Sequence, residues 1–578
     1  MASWQLRDLR TFGLLLAHTK APDDWPRCDE DGCIGVRLAG SRKCLAHAGD
    51  EHRNAALKQL SETGEIDARG VPITPALLGQ ILAAAPHDAE NHPMLTAPRF
   101  DRATFQGDAI FEGVTFEHWA DFDRATFRGD AGFEWTTFRE NAGFNGATFE
   151  GWASFEQATF QGDAIFFGAA FRGYGVFDGA TFQGLAFFSV ATFHGAAGFG
   201  DATFHGDAAF FGVTVQGYAS FTSTTFERAR QMGPLVVYRG LDLDHAQFAE
   251  PVQIEVSTIG VCCRRARFVG GVQFRLRWAR VLLDDADLAA PSILAGVPPL
   301  TDNQLAEQEQ RFAKAWQRLL GGAVSEQPQL VSLRGANVAG LGLANIELAD
   351  CRFAGAHNLD TLRLEADVHF AAAPVRLSWD WRQVIAEERT WRTHRGGRWA
   401  KPVWPAWAGD QPAVLDAGQI AGLYRALRKG REDAKDEPGA ADFYYGEMEM
   451  RRRARRGHGD VEFHGRTGEG SRGRVERGIL TTYWLVSGYG LRAWRALAWL
   501  AILTAAFAVA FHLIGFTNPP QPDSYWTSLL YSFRATLSLT DDDVNLTAWG
   551  KLLQALLRIS GPLLLALALL AVRGRVKR

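Results

Sequence analysis

Aromatic rings recur along this chain with a regularity that leaves few folds open. From Phe100 to Phe226 the positions 100, 105, 111, 116, 122, 127, 133 and onward step alternately by five and six residues, and 23 of the 24 are Phe, Val215 being the exception. A period of 11 residues kept without a slip marks one small unit stacked on itself. Two residues ahead of the centres from Phe105 onward stands Ala in 18 of 23 cases, among them Ala103, Ala109, Ala120 and Ala125. Residues two apart in an extended chain point the same way, so Ala and Phe share an interior while the Thr, Asp, Glu, Gln and Arg between them face out. A helix of the same period fails, because steps of five and six would throw the rings onto faces about 140° apart. Each recurrent Gly would cost such a helix about 1 kcal/mol more. Gly two residues after many centres, as at 107, 129 and 151, is expected to let the backbone turn sharply between short strands. The fold class predicted is mainly β, a solenoid with four short sides per coil and Phe105, Phe111, Phe116, Phe122, Phe127 and Phe133 in its repeat core.

The unit Ala103-Thr104-Phe105-Gln106-Gly107, small, polar, large apolar, then two polar or turn residues, resembles that of pentapeptide-repeat proteins. The six-residue unit from Asp108 to Gly113 is similar to a Phe-rich subtype. The resemblance implies a right-handed quadrilateral β-helix. After Arg230 the inward pairs continue less evenly, as in Ala246/Phe248, Val252/Ile254 and Val261/Cys263, and Leu333, Val338, Leu343, Leu348 and Phe353 return in strict fives. Between them, 301–321 reads as a helix capped by Thr301 or Asp302, with Leu305, Phe312, Trp316 and Leu319 on one face. It is expected to insert into the solenoid or to cover an open edge. The domains expected are 1–50, an N-terminal helix and a Cys3His zinc knuckle; 51–97, a helical linker; 98–290, the Phe-rich β-helix; 301–322, the inserted helix; 331–365, a further coil; 366–490, a helical, Trp-rich and basic juxtamembrane linker; and 491–578, a two-transmembrane domain.

Two apolar runs, 496–516 and 552–572, are each 21 residues long. At about 1.5 Å per residue each reaches about 31 Å, enough for a hydrocarbon core of about 30 Å. Residues 451–495 carry 11 Arg against four acids, a net of +7, and the tail from Arg573 adds four more cations. The loop between the runs is acidic, so the expected localisation is a multi-pass cell-membrane protein with both termini cytoplasmic. The basic stretch is also suited to anionic lipid headgroups, and equally to a solvated linker. Within the loop, 525–539 is apolar but too short to span and reads as a re-entrant or interfacial helix. This order resembles the two-helix pore domain of potassium-type channels, with a departure. Where those channels have a Gly-containing filter, this chain has Leu537-Ser538-Leu539-Thr540-Asp541-Asp542-Asp543. Asp541, Asp542 and Asp543 are candidates for a cation-attracting pore mouth, or else a solvated loop. Two spans per subunit cannot enclose a pore, so conduction requires a homo-oligomer.

Near the start, Cys28, Cys33, Cys44 and His47 form C-x4-C-x10-C-x2-H. Three thiolates and one imidazole suit a tetrahedral structural Zn²⁺, and four protein ligands leave no open catalytic position. The alternative is free thiols. Cys263 and Cys351 fall at inward repeat positions and read as small core hydrophobes.

No P-loop, nucleophile elbow or H-E-x-x-H is present, so a non-enzymatic role is expected. The leading reading is a membrane-anchored scaffold whose β-helix binds a protein partner. The first alternative is an oligomeric cation channel, or channel-like sensor, gated through the β-helix. The second is an acidic DNA-mimic binder of a topoisomerase, suggested by 16 acids against seven Arg between Phe100 and Arg230. The whole chain carries −4, so nucleic acid is not an expected partner.

Overall fold

The structure is a computed structural model and describes residues 25–301, 304–320, 326–365, 367–374, 381–454, 469–517, 524–537, 539 and 545–576. The chain is mainly a parallel β-solenoid of about 12 turns, with α-helical regions and two apolar helices toward its end. It divides into two compact units, Met1–Pro328 and Gln329–Arg578.

In the first unit the coil is 22 residues long, so each strand pairs in parallel with equivalents one coil before and after: Thr137 lies beside Thr115 and Thr159, and Ala142 beside Ala120 and Ala164. Four two-residue strands make one coil, for example Ala120–Asp121, Thr126–Phe127, Ala131–Gly132 and Thr137–Phe138. The predicted inward set is the core, since all six named Phe and the small residue two before each, Ala in five cases and Val114 in the sixth, are buried. Rings on one side stack coil over coil, as in Phe133 on Phe155 with centroids 4.8 Å apart and planes 1° from parallel. Rings on opposite sides meet edge-on, as in Phe133 and Phe144 at 5.5 Å and 86°. These are the two arrangements that aromatic quadrupoles favour. The ladders begin before the Phe series, with Glu65–Asp67, Pro72–Ile73 and Met94–Leu95, inside the stretch read as a linker. That stretch also holds α1 (Asp50–Thr63) and α2 (Pro75–Ala84).

Glycine has two roles, only one of which the sequence suggested. The left-handed corner residue recurs every 11 positions, but Arg102, Arg124 and Trp135 hold it as well as Gly113 and Gly146. The glycines at the same offset in the six-residue steps, two residues after the centre, do something else. At Gly206 a Cβ would collide with the carbonyl oxygen of Gly184, one coil below, so closeness between coils and not a turn excludes a side chain.

Around Gln231 the coil changes. The ladder containing Ala208–Ala209 gains no further strand, while strands on the neighbouring side lengthen to Gln231–Val237 and Val252–Thr258. Two sides merge into one, and the coil shortens to 20 residues, with Val252 beside Val272 and Ile254 beside Phe274. This is why the pattern loosens after Arg230. The widened face is covered by α3 (Gln304–Leu320), whose Leu305 and Phe312 pack on Val236 and Trp278. Glu309 accepts the backbone N–H of Leu300 at 2.6 Å and pairs with Arg277 at 3.3 Å; Arg277 in turn pairs with Glu255 at 2.7 Å. The inserted helix therefore lies over a sheet face through a buried ion pair, not only through its apolar stripe.

In the second unit the strict fives are inward, since Leu333, Val338, Leu343, Leu348 and Phe353 are all buried. After this coil come α4 (Ala386–His394), α5 (Ala417–Asp433), α6 (Glu437–Arg453), α7 (Glu469–Ser487), α8 (Ala493–Ala510), α9 (Tyr525–Thr536) and α10 (Ala548–Val576). Asp416 caps α5 by a reciprocal hydrogen-bonded box with Gln419. Asp436 caps α6 ahead of Pro438.

Candidate functional site

Cys28, Cys33, Cys44 and His47 converge, their donor atoms all within 4.8 Å of one another. Cys33 Sγ lies 3.8 Å from Cys44 Sγ, and His47 Nδ1 lies 3.6 Å from Cys28 Sγ and 3.4 Å from Cys44 Sγ. A tetrahedral ion with Zn–S of about 2.3 Å and Zn–N of about 2.0–2.1 Å requires S···S edges of about 3.8 Å and S···N edges of about 3.6 Å. These three separations fit that set. A tight turn places them: Cys33 N–H donates to Glu30 O at 3.1 Å, Gly32 takes φ of 75°, and Cys28 N–H returns to Gly35 O at 2.8 Å. Backbone N–H groups also point at sulfur, from Cys44 to Cys28 Sγ at 3.3 Å and from Gly35 to Cys33 Sγ at 3.4 Å. Burial raises the Cys28 thiol, but hydrogen bonds from the Glu30 and Cys44 backbone and the His47 ring outweigh it and bring the thiol down to about 7. Burial pushes Cys44 up to about 12. Spacing could not reveal Gly35, where a Cβ would lie 3.0 Å from Cys44 Cβ and 3.1 Å from its Sγ.

Cys263 and Cys351 are buried, as their register predicts. The candidate pore-mouth residues Asp541, Asp542 and Asp543 lie outside the described residues.

The apolar runs form Ala493–Gly515 and Ala548–Val572, two helices long and apolar enough to cross a membrane by length and composition, each with a mean hydropathy of 2.2. Little of either is covered: Leu513 is 71 % exposed and Ile559 70 %, and Ile502, Leu563, Leu569 and Leu570 are exposed beside them. Helix α9 packs between the two. Tyr531 meets Phe511 at 5.1 Å and accepts a hydrogen bond from Gln554 at 2.9 Å, and Gly561 of α10 sits against the backbone of Thr536. The side of α9 buried there carries hydroxyls, Ser528, Ser532 and Thr536, the last 3.4 Å from Thr504 of α8.

Ahead of α8 the second unit buries charge. Glu388 of α4 receives Arg382 and Arg392, each at 2.6 Å, and the Tyr424 hydroxyl at 2.5 Å. Arg392 reaches on to Glu449 at 3.3 Å. Glu449 also takes Arg452 and Arg453, each at 2.8 Å, and the hydroxyl of Tyr489 at 3.2 Å. Burial alone would raise Glu449, but the Arg452 and Arg453 charges dominate and hold it down at about 2. Arg451 pairs with Glu447 at 2.9 Å, so the basic run at 451–453 turns back onto carboxylates of its own helix.

These features describe a pentapeptide-type parallel solenoid carrying an N-terminal candidate metal knuckle and a C-terminal pair of apolar helices. Residues 118–159 match the family model described as pentapeptide repeats (9 copies). No curated protein and no solved structure matches the chain.

Proposed function

We propose that this protein is a non-enzymatic, membrane-anchored scaffold whose solenoid offers its outward residues to a protein partner, with a structural Zn²⁺ held by Cys28, Cys33, Cys44 and His47. The observation that carries the anchoring is the uncovered apolar surface of α8 and α10, where large aliphatic side chains lie exposed along both helices, as suits a lipid-facing surface. Rigidity supports the scaffold role, since from Phe100 to Phe226 each coil is bonded to its neighbours by ring stacks and by backbone ladders. The acidic surface is partly internal hardware. Asp130 accepts the Trp152 N–H at 2.8 Å, Asp163 that of Leu185 at 2.9 Å and Asp178 that of Gly200 at 2.7 Å, each one coil on. Those carboxylates join coils, which removes much of the motive for a DNA-mimic role. Crosslinking of the full-length chain in native membranes tests the proposal: recovery with membranes at high salt and alkaline pH, together with a protein crosslinked to the solenoid, is expected, and a chain extracted without detergent would overturn it.

The hydroxyl-lined contact between α9 and its neighbours favours the channel as a second reading, since buried polar groups at membrane depth are rare. Planar-bilayer recording from reconstituted oligomers tests it. Currents abolished by neutralising Asp541, Asp542 and Asp543 together support it, and silence overturns it.

A further inference from the structure

The open end of a parallel solenoid presents unpaired backbone groups and must be covered. At the N-terminal end the knuckle is one such cover. Val36 N–H donates to Arg69 O at 2.9 Å, just past the first strand, Glu65–Asp67. Gly70 approaches so closely that a Cβ there would lie 2.8 Å from Ile34 O. The same carbonyl receives the Trp25 indole N–H at 2.8 Å. Trp25 is buried, with the guanidinium of Arg69 4.9 Å and that of Arg102 5.6 Å from its ring. Arg69 is itself held by Asp67 at 2.9 and 2.7 Å. Ile34, Gly35 and Val36 thus form the contact strip, and the strip lies between Cys33 and Cys44.

Beyond this contact the segment is held by backbone turns, by surface ion pairs such as Asp29 with Arg42 and Glu30 with Lys43, each worth little, and by Arg53, which donates to the Leu45, Ala46 and Ala48 carbonyls. Between residues 25 and 48 no helix forms, the one bridge is Arg27 with Val36, and the buried apolar side chains are Trp25, Cys28, Val36, Cys44, Leu45 and Ala48. So small a core cannot offset the entropy of ordering the segment, and segments of this kind depend on a cross-link or a metal. We propose that Zn²⁺ bound by the four donors is what holds 25–48 closed over the first coil, a metal-dependent end cap for the solenoid. This rests on the reading of the four donors as a metal centre. Metal loss frees the strip, breaks the Val36 to Arg69 hydrogen bond and exposes the first strand, while coils from Phe100 onward, held by their own ring stacks, remain closed.

The test uses the full-length chain in detergent. Metal analysis is expected to find one zinc per chain. Hydrogen exchange followed by mass spectrometry is then compared before and after a strong chelator, and again after Zn²⁺ alone is restored. Exchange in 25–48 and 65–73 is expected to rise more than about tenfold on chelation and to return with zinc, with 100–226 unchanged. Zinc present but exchange in 25–73 unaltered by its removal overturns the cap and leaves the metal centre standing. A chain that binds no zinc, purified or titrated, overturns both.

Discussion

Between Phe100 and Phe226 the first unit buries rings, alanines and a few hydroxyl or amide groups but no charged side chain, whereas α4 to α6 of the second unit bury Glu388, Glu449, Glu447 and Arg389. In the coils each ring has equivalents above and below, so stability is close to a sum over neighbours and a defect stays local. In the helical region each buried charge has partners that exist once. Glu388 serves Arg382, Arg392 and Tyr424 at the same time, and nothing repeats it. Repetition distributes risk; a buried ionic cluster concentrates it.

That contrast can be broken by measurement, and the largest expected effect is in the second unit. Glu388→Ala leaves Arg382 buried without its carboxylate and Arg392 with Glu449 alone, and is expected to cost about 3–5 kcal/mol. Thermal unfolding of the detergent-solubilised chain, with exchange in 381–453 as the local readout, checks it. Acid should act on the same cluster. Glu449 stands at about 2 in the folded chain against an ordinary 4.5, so its contribution, about 3 kcal/mol at most, is present above pH 4.5 and lost as pH falls toward 2. Protection of 437–453 is expected to fade across that window, and Glu449→Gln to abolish this part of the pH dependence. In the solenoid, Phe144→Leu keeps most of the buried volume and should cost less than about 1.5 kcal/mol. A loss there as large as that of Glu388→Ala would refute the claim that repetition makes coils tolerant. Smallest is Asp163→Ala, which deprives the half-exposed Leu185 N–H of its acceptor. It should cost about 0.5–1 kcal/mol and speed exchange at that amide alone.

Much of this was legible beforehand, and for one reason. The inward Phe and Ala and the fives from Leu333 follow from periodicity, and the apolar helices from unbroken runs, both of which survive translation into space because neighbouring residues experience them together. The spans shifted only slightly, from 496 to 493 and from 552 to 548 at their starts. The Cys3His set was readable because its four members fall within 20 residues of chain. Gly35 was not, since its constraint comes from Cys44 packing onto it. Likewise the α4 to α6 cluster has no sequence signature: Arg392 and Glu449 are 57 residues apart. The merging of two solenoid sides at Gln231–Val237 was visible only as loosened spacing, because the number of sides is decided by which ladders continue.

The sequence by itself determined that an aromatic solenoid forms and where the apolar helices run, since both depend on each residue's affinity for water and its spacing from near neighbours. Tertiary structure alone decided which glycines are irreplaceable, which carboxylates join coils, how α3 is locked by Glu309 and Arg277, and which arginines are neutralised before the apolar helices. Those outcomes depend on distances between parts of the chain that no local pattern encodes, where a few tenths of an ångström separate a buried ion pair from an unpaired charge.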